Sequence, residues 1–393
     1  MLRVLTLSSL FPDASRPDFG VFVEQQTLAL AARSDVELRV VAPRPIHRGY
    51  HANITVPFRE SWKALDVYRP NFLSFPIVGG RLNAASMART LRPLLRAIRR
   101  DFPFDVVDAQ FFWPDGAAAA RLGYPFSIKA RGADIHHWGR RRDSGPQIVA
   151  AAHKADGLLA VSAALRDDMA AIGIPAERTR VHYTGVDLDR FTPADRSAAK
   201  AALGLTGPVI ATLGALIERK GQALVIEALN ALPGVTLLIV GGGPMRAAYE
   251  AQAKPLGDRV RFMGPQPHAA LPALLAAADA MVLPSASEGL ANAWVEALAC
   301  GAPIVIADVG GARELLRDES AGRIVARTPR AISEAVQALL AAPPDRATVR
   351  HAAERFTWTA NSDALFDHLS AIAAKARAQA RVEATLACHP GAP

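Results

Sequence analysis

An α/β fold with two doubly wound parallel sheets is predicted, and three observations predict it. Short apolar, β-branched runs alternate with helix-length stretches almost throughout. Several runs are continuously apolar, as in strands covered on both faces. The chain has 393 residues, half of them apolar and 21% charged, too long for one ordinary core and suited to two. In the first half the runs are RVLTL, VELRVVA, FDVVDA, FSIKA, GLLAVS and RVHYT. In the second they are VIATLG, VTLLIVG, VRFMG, AMVLPS, PIVIADV and GRIVA. Helical windows between them include 162–172, 222–231, 244–256, 268–278 and 330–341. Such alternation calls for parallel strands with crossover helices, giving two Rossmann-like domains that face each other across a cleft.

The boundary is expected in YTGVDLDRFTPAD, residues 183–195, where a Gly, a Pro and three Asp part the two sets of strands. The predicted domains are 1–186 and 187–357. A helix over about 358–382 is expected to pack back on the first, followed by a frayed tail, 383–393.

Residues 1–186 hold 25 Lys+Arg against 17 Asp+Glu, and the rest hold 20 against 20. The whole excess of +8 thus sits in the first half and points to an anionic partner there: lipid, a phosphate-bearing acceptor or nucleic acid. No zinc finger, RNP-type motif or interleaving of basic and aromatic residues supports nucleic acid. Cys300 and Cys388 lie far apart without Cys or His neighbours, which argues against a disulfide framework or a zinc site. The opening MLRVLTLSSLFPD reads as a strand, not as a cleavable leader, and no run reaches the roughly 18 apolar residues of a membrane span. A cytoplasmic protein is expected, peripheral to the inner face of the cell membrane.

The segment richest in chemistry is PSASEGLANAWVEALACGAPIVIADVGGARELL, residues 284–317. A strand leads into Ser-rich turn residues and Glu288-Gly289, and a helix over about 291–300 carries Glu296. On one continuous helix the two carboxylates would lie about 12 Å apart along the axis and roughly 80° apart in direction. That suits two parts of one elongated ligand better than one metal or one proton transfer. Gly289 admits close approach to the backbone, and the following helix start offers unpaired N–H groups to an anion. Further glycine turns follow other strands, at Gly310-Gly311 and at Gly241-Gly242-Gly243-Pro244. After VIATLG, Arg219-Lys220-Gly221 sets two cations at a helix start, the charge that a departing diphosphate needs.

From Glu288 to Glu296 the chain resembles the E-x7-E motif of family 4 glycosyltransferases of GT-B architecture. The frame PS…EG…EALACG.P.V…GG..EL, the Lys-Gly helix start, GVD…F and GGGP are similar too, so the resemblance spans nearly the whole chain. The opening SSLFPD…PDFGVFVEQQ is similar to members acting in exopolysaccharide or teichuronic-acid-type synthesis. The resemblance implies a retaining transfer from a nucleotide-diphosphate sugar to a saccharide or lipid-linked acceptor, with no further cofactor. It implies that Glu296 binds ribose hydroxyls, Glu288 the transferred sugar, and Arg219 and Lys220 the diphosphate. Gly289, Leu290, Gly214, Gly242 and Gly243 complete the implied donor site. Many members carry an arginine directly after Gly214; Ala215 stands there instead, leaving the charge to Arg219 and Lys220.

In the first half, Asp18-Phe19-Gly20 opens the helix VFVEQQTLALAAR; Gly20 is expected against the donor and Phe19 on the acceptor side. Arg131-Gly132-Ala133-Asp134 stands where members often have His-Gly-x-Asp. Asp134 is placed among the catalytic groups. Arg131 cannot act as a base and is expected to orient an acceptor or phosphate, with His136 on the cleft wall. Helix 84–100 carries Met87, Leu91, Leu94, Leu95 and Ile98 on one stripe and Arg89, Arg92, Arg96, Arg99 and Arg100 around it, a candidate membrane-facing patch.

A glycosidase reading of the two glutamates is disfavoured, because a diphosphate leaves without a proton donor and cations accompany the carboxylates. No D-x-D pair appears in the segment, so metal-independent transfer is expected. The rival readings are a nucleotide-sugar epimerase or phosphorylase of the same fold, and a non-catalytic subunit of a membrane assembly.

Overall fold

The computed structural model describes residues 1–47, 56–76 and 78–388. It divides into two compact units. The first comprises Met1–Val161, Leu165–His182 and the chain from Asn361 onward; the second comprises Ser162–Ala164 and Tyr183–Ala360.

The strands of the first unit are β1 (Leu2–Leu7), β2 (Val36–Val41), β3 (Arg44–Ile46), β4 (Arg59–Trp62), β5 (Leu65–Tyr68), β6 (Asn71–Leu73), β7 (Val106–Ala109), β8 (Phe126–Ala130), β9 (Gly157–Ala160) and β10 (Thr179–Val181). Eight form one sheet, in the order β10-β9-β8-β7-β1-β2-β5-β4. Among the described strands only β4 runs antiparallel to its neighbour, and β3 pairs separately with β6. The chain leaves β1 toward β2 on one side and returns through β7 on the other. The switch point, where open sheets of this kind receive ligands, therefore lies beyond the carboxyl ends of β1 and β7.

The hairpin β4–β5 and the pair β3–β6 are additions to the six strands expected. The hairpin turns on Lys63 and Ala64 at φ 49° and 67°, a conformation that Asn-Gly ordinarily signals.

The strands of the second unit are β11 (Val209–Leu213), β12 (Thr236–Val240), β13 (Val260–Gly264), β14 (Ala280–Leu283), β15 (Ile304–Ala307) and β16 (Gly322–Val325). Their order is β13-β12-β11-β14-β15-β16, parallel throughout, which is the Rossmann order with its switch point between β11 and β14. Leu237, Ile239, Val282 and Val305 pack with helix residues Val225, Ile226, Ile332 and Val336 in this unit's core.

The helix Gly79–Asp101 buries Met87, Leu91, Leu95 and Ile98 within the protein. The apolar stripe of the candidate membrane-facing patch is thus spent on packing. What faces water is arginine, at Arg81, Arg89, Arg92, Arg96, Arg99 and Arg100, with Val78 and Leu82 exposed at the amino-terminal end.

The last helix runs from Trp358 to Cys388, past the limit of 382 expected for it. Residues 389–393 of the expected tail lie outside the described residues. Leu365, Leu369, Ile372 and Ala373 of this helix join Leu2, Val4, Leu30, Val36, Val106 and Leu159 in one core cluster. His368 shares a 2.8 Å hydrogen bond with Ser127 Oγ. A Cβ at Gly157 would stand 2.5 Å from that imidazole, so the strand is glycine where the helix crosses it. Among the described residues no helix is long and apolar enough to cross a membrane.

Candidate functional site

Two loops meet at the switch point of the second unit. One follows β11 and carries Gly214, Ala215, Arg219 and Lys220; the other follows β14 and carries Ser285, Ser287, Glu288 and Gly289. Lys220 Nζ donates to Glu288 Oε1 at 2.6 Å, and Arg219 Nη1 lies 3.6 Å from the same oxygen. The loops are tied further through their backbones, with Ala286 N–H donating to the Arg219 carbonyl at 2.7 Å and the Arg219 guanidinium to the Ser287 carbonyl. Glu288 is 9% exposed. A carboxylate so withdrawn from water needs its cations, since an unpaired charge there is costly. Among the described residues only Oε1 is engaged by protein groups, and Oε2 accepts from none of them.

Glu288 and Glu296 do not share a helix. The helix begins at Asn292, so the separation expected from one continuous helix does not apply. Glu296, also 9% exposed, accepts a hydrogen bond from His268 at 2.8 Å. The imidazole leans on the Phe191 ring, 5.2 Å between centroids, with Arg190 Nη1 3.4 Å from its other nitrogen. His268 was not among the expected site residues; an isolated histidine after a proline carries no sequence signal.

The N–H groups of Gly289 and Leu290 donate to no acceptor among the described residues. The Gly289 carbonyl, by contrast, is fixed by Gly311 N–H at 2.7 Å and Ser162 Oγ at 3.1 Å. The turn is thereby held with its donors unspent, the arrangement that receives anions at helix starts. Gly214, Gly242 and Gly243 stand beyond the ends of β11 and β12. Gly241 allows these ends to close up: its φ is 138°, and a Cβ there would stand 2.0 Å from the Gly214 carbonyl oxygen.

In the first unit, Gly20 caps the helix Val21–Ala31 at φ 78°, and a Cβ on it would stand 2.5 Å from the Leu10 carbonyl oxygen. Backbone geometry alone thus requires glycine here. Phe19 is half-buried under the Arg16 guanidinium, 4.2 Å from the ring centre. Asp134 accepts from the backbone N–H groups of Phe112, Arg131 and Gly132 at 3.1, 3.0 and 2.9 Å. Both of its oxygens are spent on shaping the turn, which makes it the organiser of the Arg131 loop and not a group poised for proton transfer. Burial raises its pKa against those bonds. His136 pairs through Nε2 with Asp168 at 2.8 Å.

Behind Arg131 lies a buried network that was not anticipated. Lys129 Nζ donates to Gln26 Oε1 at 2.7 Å and to His182 Nδ1 at 2.9 Å; His182 Nε2 in turn donates to the Asn361 carbonyl at 2.9 Å. Gln110 Nε2 donates to Asp108 Oδ2 at 2.5 Å, and Gln26 Nε2 to Gln110 Oε1 at 3.0 Å. Burial holds the Lys129 and His182 pKa values well below their usual ranges and pushes Asp108 up to about 6.

Among the described residues no group of three or more His, Cys, Asp or Glu is placed to hold a metal ion.

Comparison with known proteins agrees with this architecture. Residues 194–356 match the model for glycosyl transferases group 1, and residues 20–190 match that for Glycosyltransferase Family 4. The D-inositol 3-phosphate glycosyltransferase of Mycobacteroides abscessus is 36% identical over 217 residues, 52% of this chain and 49% of that protein. The Mycobacterium tuberculosis protein of the same name is 38% identical over 213 residues, 49% of this chain and 44% of that one. The match thus spans about half the length of these curated relatives. Among solved structures, sucrose-phosphate synthase from Thermosynechococcus elongatus has a TM-score of 0.74 at 21% identity, covering 98% of this chain and 100% of that one. Anabaena HepE in complex with UDP has 0.72 at 21%, covering 94% and 100%. The chain thus carries two glycosyltransferase domains in a GT-B fold, residues 20–190 matching the Family 4 model and residues 194–356 the group 1 model.

Proposed function

We propose that the chain transfers a glycosyl group, with retention, from a nucleotide-diphosphate sugar to a saccharide or lipid-linked saccharide in cell-surface polysaccharide synthesis. The observation that carries this reading is the meeting of Lys220, Arg219 and Glu288 at the switch point of the second sheet, beside the unspent N–H groups of Gly289 and Leu290. In this reading the two cations and the N–H groups take the diphosphate, Glu288 Oε2 takes a sugar hydroxyl, and Glu296 takes the ribose.

The bond from the anomeric carbon to the β-phosphate breaks while the acceptor oxygen bonds to the same face, and the acceptor's proton passes to the departing phosphate oxygen. Charge developing on that phosphate is stabilised by Lys220 and Arg219, in the role that a metal ion has in other transferases. No cofactor takes part. Exposed arginines of the helix Gly79–Asp101 fit an anionic membrane face, where a lipid-linked acceptor would be presented.

Titration calorimetry with UDP and GDP, followed by product analysis on a panel of their sugars, tests the reading. UDP is the first probe, since it is the nucleotide held by the similar Anabaena protein. Tight binding of one nucleotide and transfer of one sugar with its anomeric configuration kept are expected; binding of neither nucleotide overturns the reading. Activity should survive excess EDTA, and abolished turnover would refute metal independence.

A further inference from the structure

Arg131 is the residue directly after β8, at the carboxyl edge of the first sheet. Its guanidinium is held on one side only. Nε donates to the Gln110 carbonyl at 3.1 Å, and Nη2 donates to Gln26 Oε1 at 3.1 Å and Gln110 Oε1 at 2.5 Å. The Phe22 and Phe111 rings lie 5.0 and 5.7 Å from its central carbon. Nη1 has no acceptor among the described residues, and the side chain remains partly open to solvent.

The carboxylates near it, Asp108 and Asp134, act on it only through space. Lys129, fully buried two residues before it in sequence, is bonded to a neutral amide oxygen and a neutral imidazole. The nearby carboxylates are engaged elsewhere, Asp108 by the Gln110 amide and Asp134 by three backbone N–H groups. Arg131 makes no ion pair among the described residues. Burial pushes its pKa down to about 10, so the group stays charged at neutral pH while losing hydration. A desolvated guanidinium that is rigidly held, keeps Nη1 donors unspent and makes no direct ion pair is complementary to a ligand anion.

We propose that Arg131 reads an anionic group, a carboxylate or a phosphate ester, on a sugar substrate of this enzyme. The inference rests on the transferase reading and narrows its substrate class: one of the two sugars brought together is acidic. Arginine is set apart from lysine here because Nε and Nη2 pin the planar group to the glutamines while Nη1 still offers its N–H donors to an anion.

The test compares two pairs of ligands by titration calorimetry on the full chain: UDP-glucose against UDP-glucuronate, and glucose against glucose 6-phosphate. The first pair tests a carboxylate on the donor and the second a phosphate on the acceptor. In one pair the anionic member should bind at least about tenfold more tightly. Arg131→Gln should abolish that preference, and Arg131→Lys, which keeps the charge without the pinned planar group, should retain only part of it. Equal affinities within both pairs, or a preference that survives in Arg131→Gln, would overturn the proposal. UDP affinity is measured separately on each variant. Failure of the wild-type chain to bind both UDP and GDP removes the transferase reading, while the glucose pair still reports on Arg131 by itself. If Arg131→Gln does not fold, Arg131→Lys carries the comparison.

Discussion

Lys220 Nζ lies 2.6 Å from Glu288 Oε1, joining the loop after β11 to the loop after β14 with both side chains largely shielded from water. The pair shares one bond, so its members cannot contribute independently. Lys220→Ala leaves the carboxylate without its closest cation and removes charge from the site of the departing diphosphate. Turnover should fall by about 10²–10³, and Glu288→Gln should also lose activity. In the double variant the losses should combine to much less than their product. Steady-state rates for the four proteins check this; strictly multiplicative losses would mean that the residues act separately.

Glu296 is held on one oxygen by His268, which rests on Phe191. If that carboxylate anchors the ribose, Glu296→Gln should raise the donor KM about tenfold with a smaller fall in kcat. His268→Ala frees the carboxylate to rotate and should move the donor KM in the same direction by less. A kcat effect without a KM effect in either variant would place the residue in the chemical step instead.

The sheets were legible because buried parallel strands are continuous apolar runs. The β4–β5 hairpin was not, since Lys63 and Ala64 occupy positive-φ positions without the Asn-Gly signature. Glu288, Arg219 and Lys220 could be found because each stands beside a glycine turn after a strand. His268 and the Lys129–His182–Gln26–Gln110 cluster could not. Their partners are remote in the chain, and neutral glutamines carry no charge pattern. The helix Gly79–Asp101 shows a different limit. Its period is plain in the sequence, but one apolar stripe serves a membrane or a core equally well, and only packing shows that Met87, Leu91, Leu95 and Ile98 face inward.

His368 ties the last helix to the first sheet through Ser127, and burial pushes its pKa down to about 4. The unfolded chain, with an ordinary imidazole, takes up this proton near pH 6.5, while the folded chain resists until about pH 4. Stability from this group is therefore complete above the unfolded value and is lost as pH falls toward the folded one. Urea unfolding at pH 7 and pH 4.5 should show a loss of about 2 kcal/mol from this source. His368→Gln, which keeps a hydrogen-bonding group without the titration, should be less stable at pH 7 yet lose less on acidification. An equal pH dependence in both proteins would show that His368 does not govern it.

Arg89, Arg96 and Arg100 follow one another at spacings of seven and four, which sets them on one exposed face of the helix Gly79–Asp101, and none has a hydrogen-bond or ion-pair partner among the described residues. With the apolar stripe buried beneath them, attachment to a membrane has to be electrostatic there and not insertional. Each arginine close to an anionic surface contributes about 1 kcal/mol, and salt screens the attraction within a Debye length. The chain should therefore sediment with vesicles containing phosphatidylglycerol at low ionic strength, leave them at about 0.5 M salt, and ignore purely phosphatidylcholine vesicles. Replacing all three arginines by serine should weaken binding about a hundredfold or more. Retention at high salt would point to the exposed Val78 and Leu82 at the helix start, since burial of apolar side chains is not screened by ions.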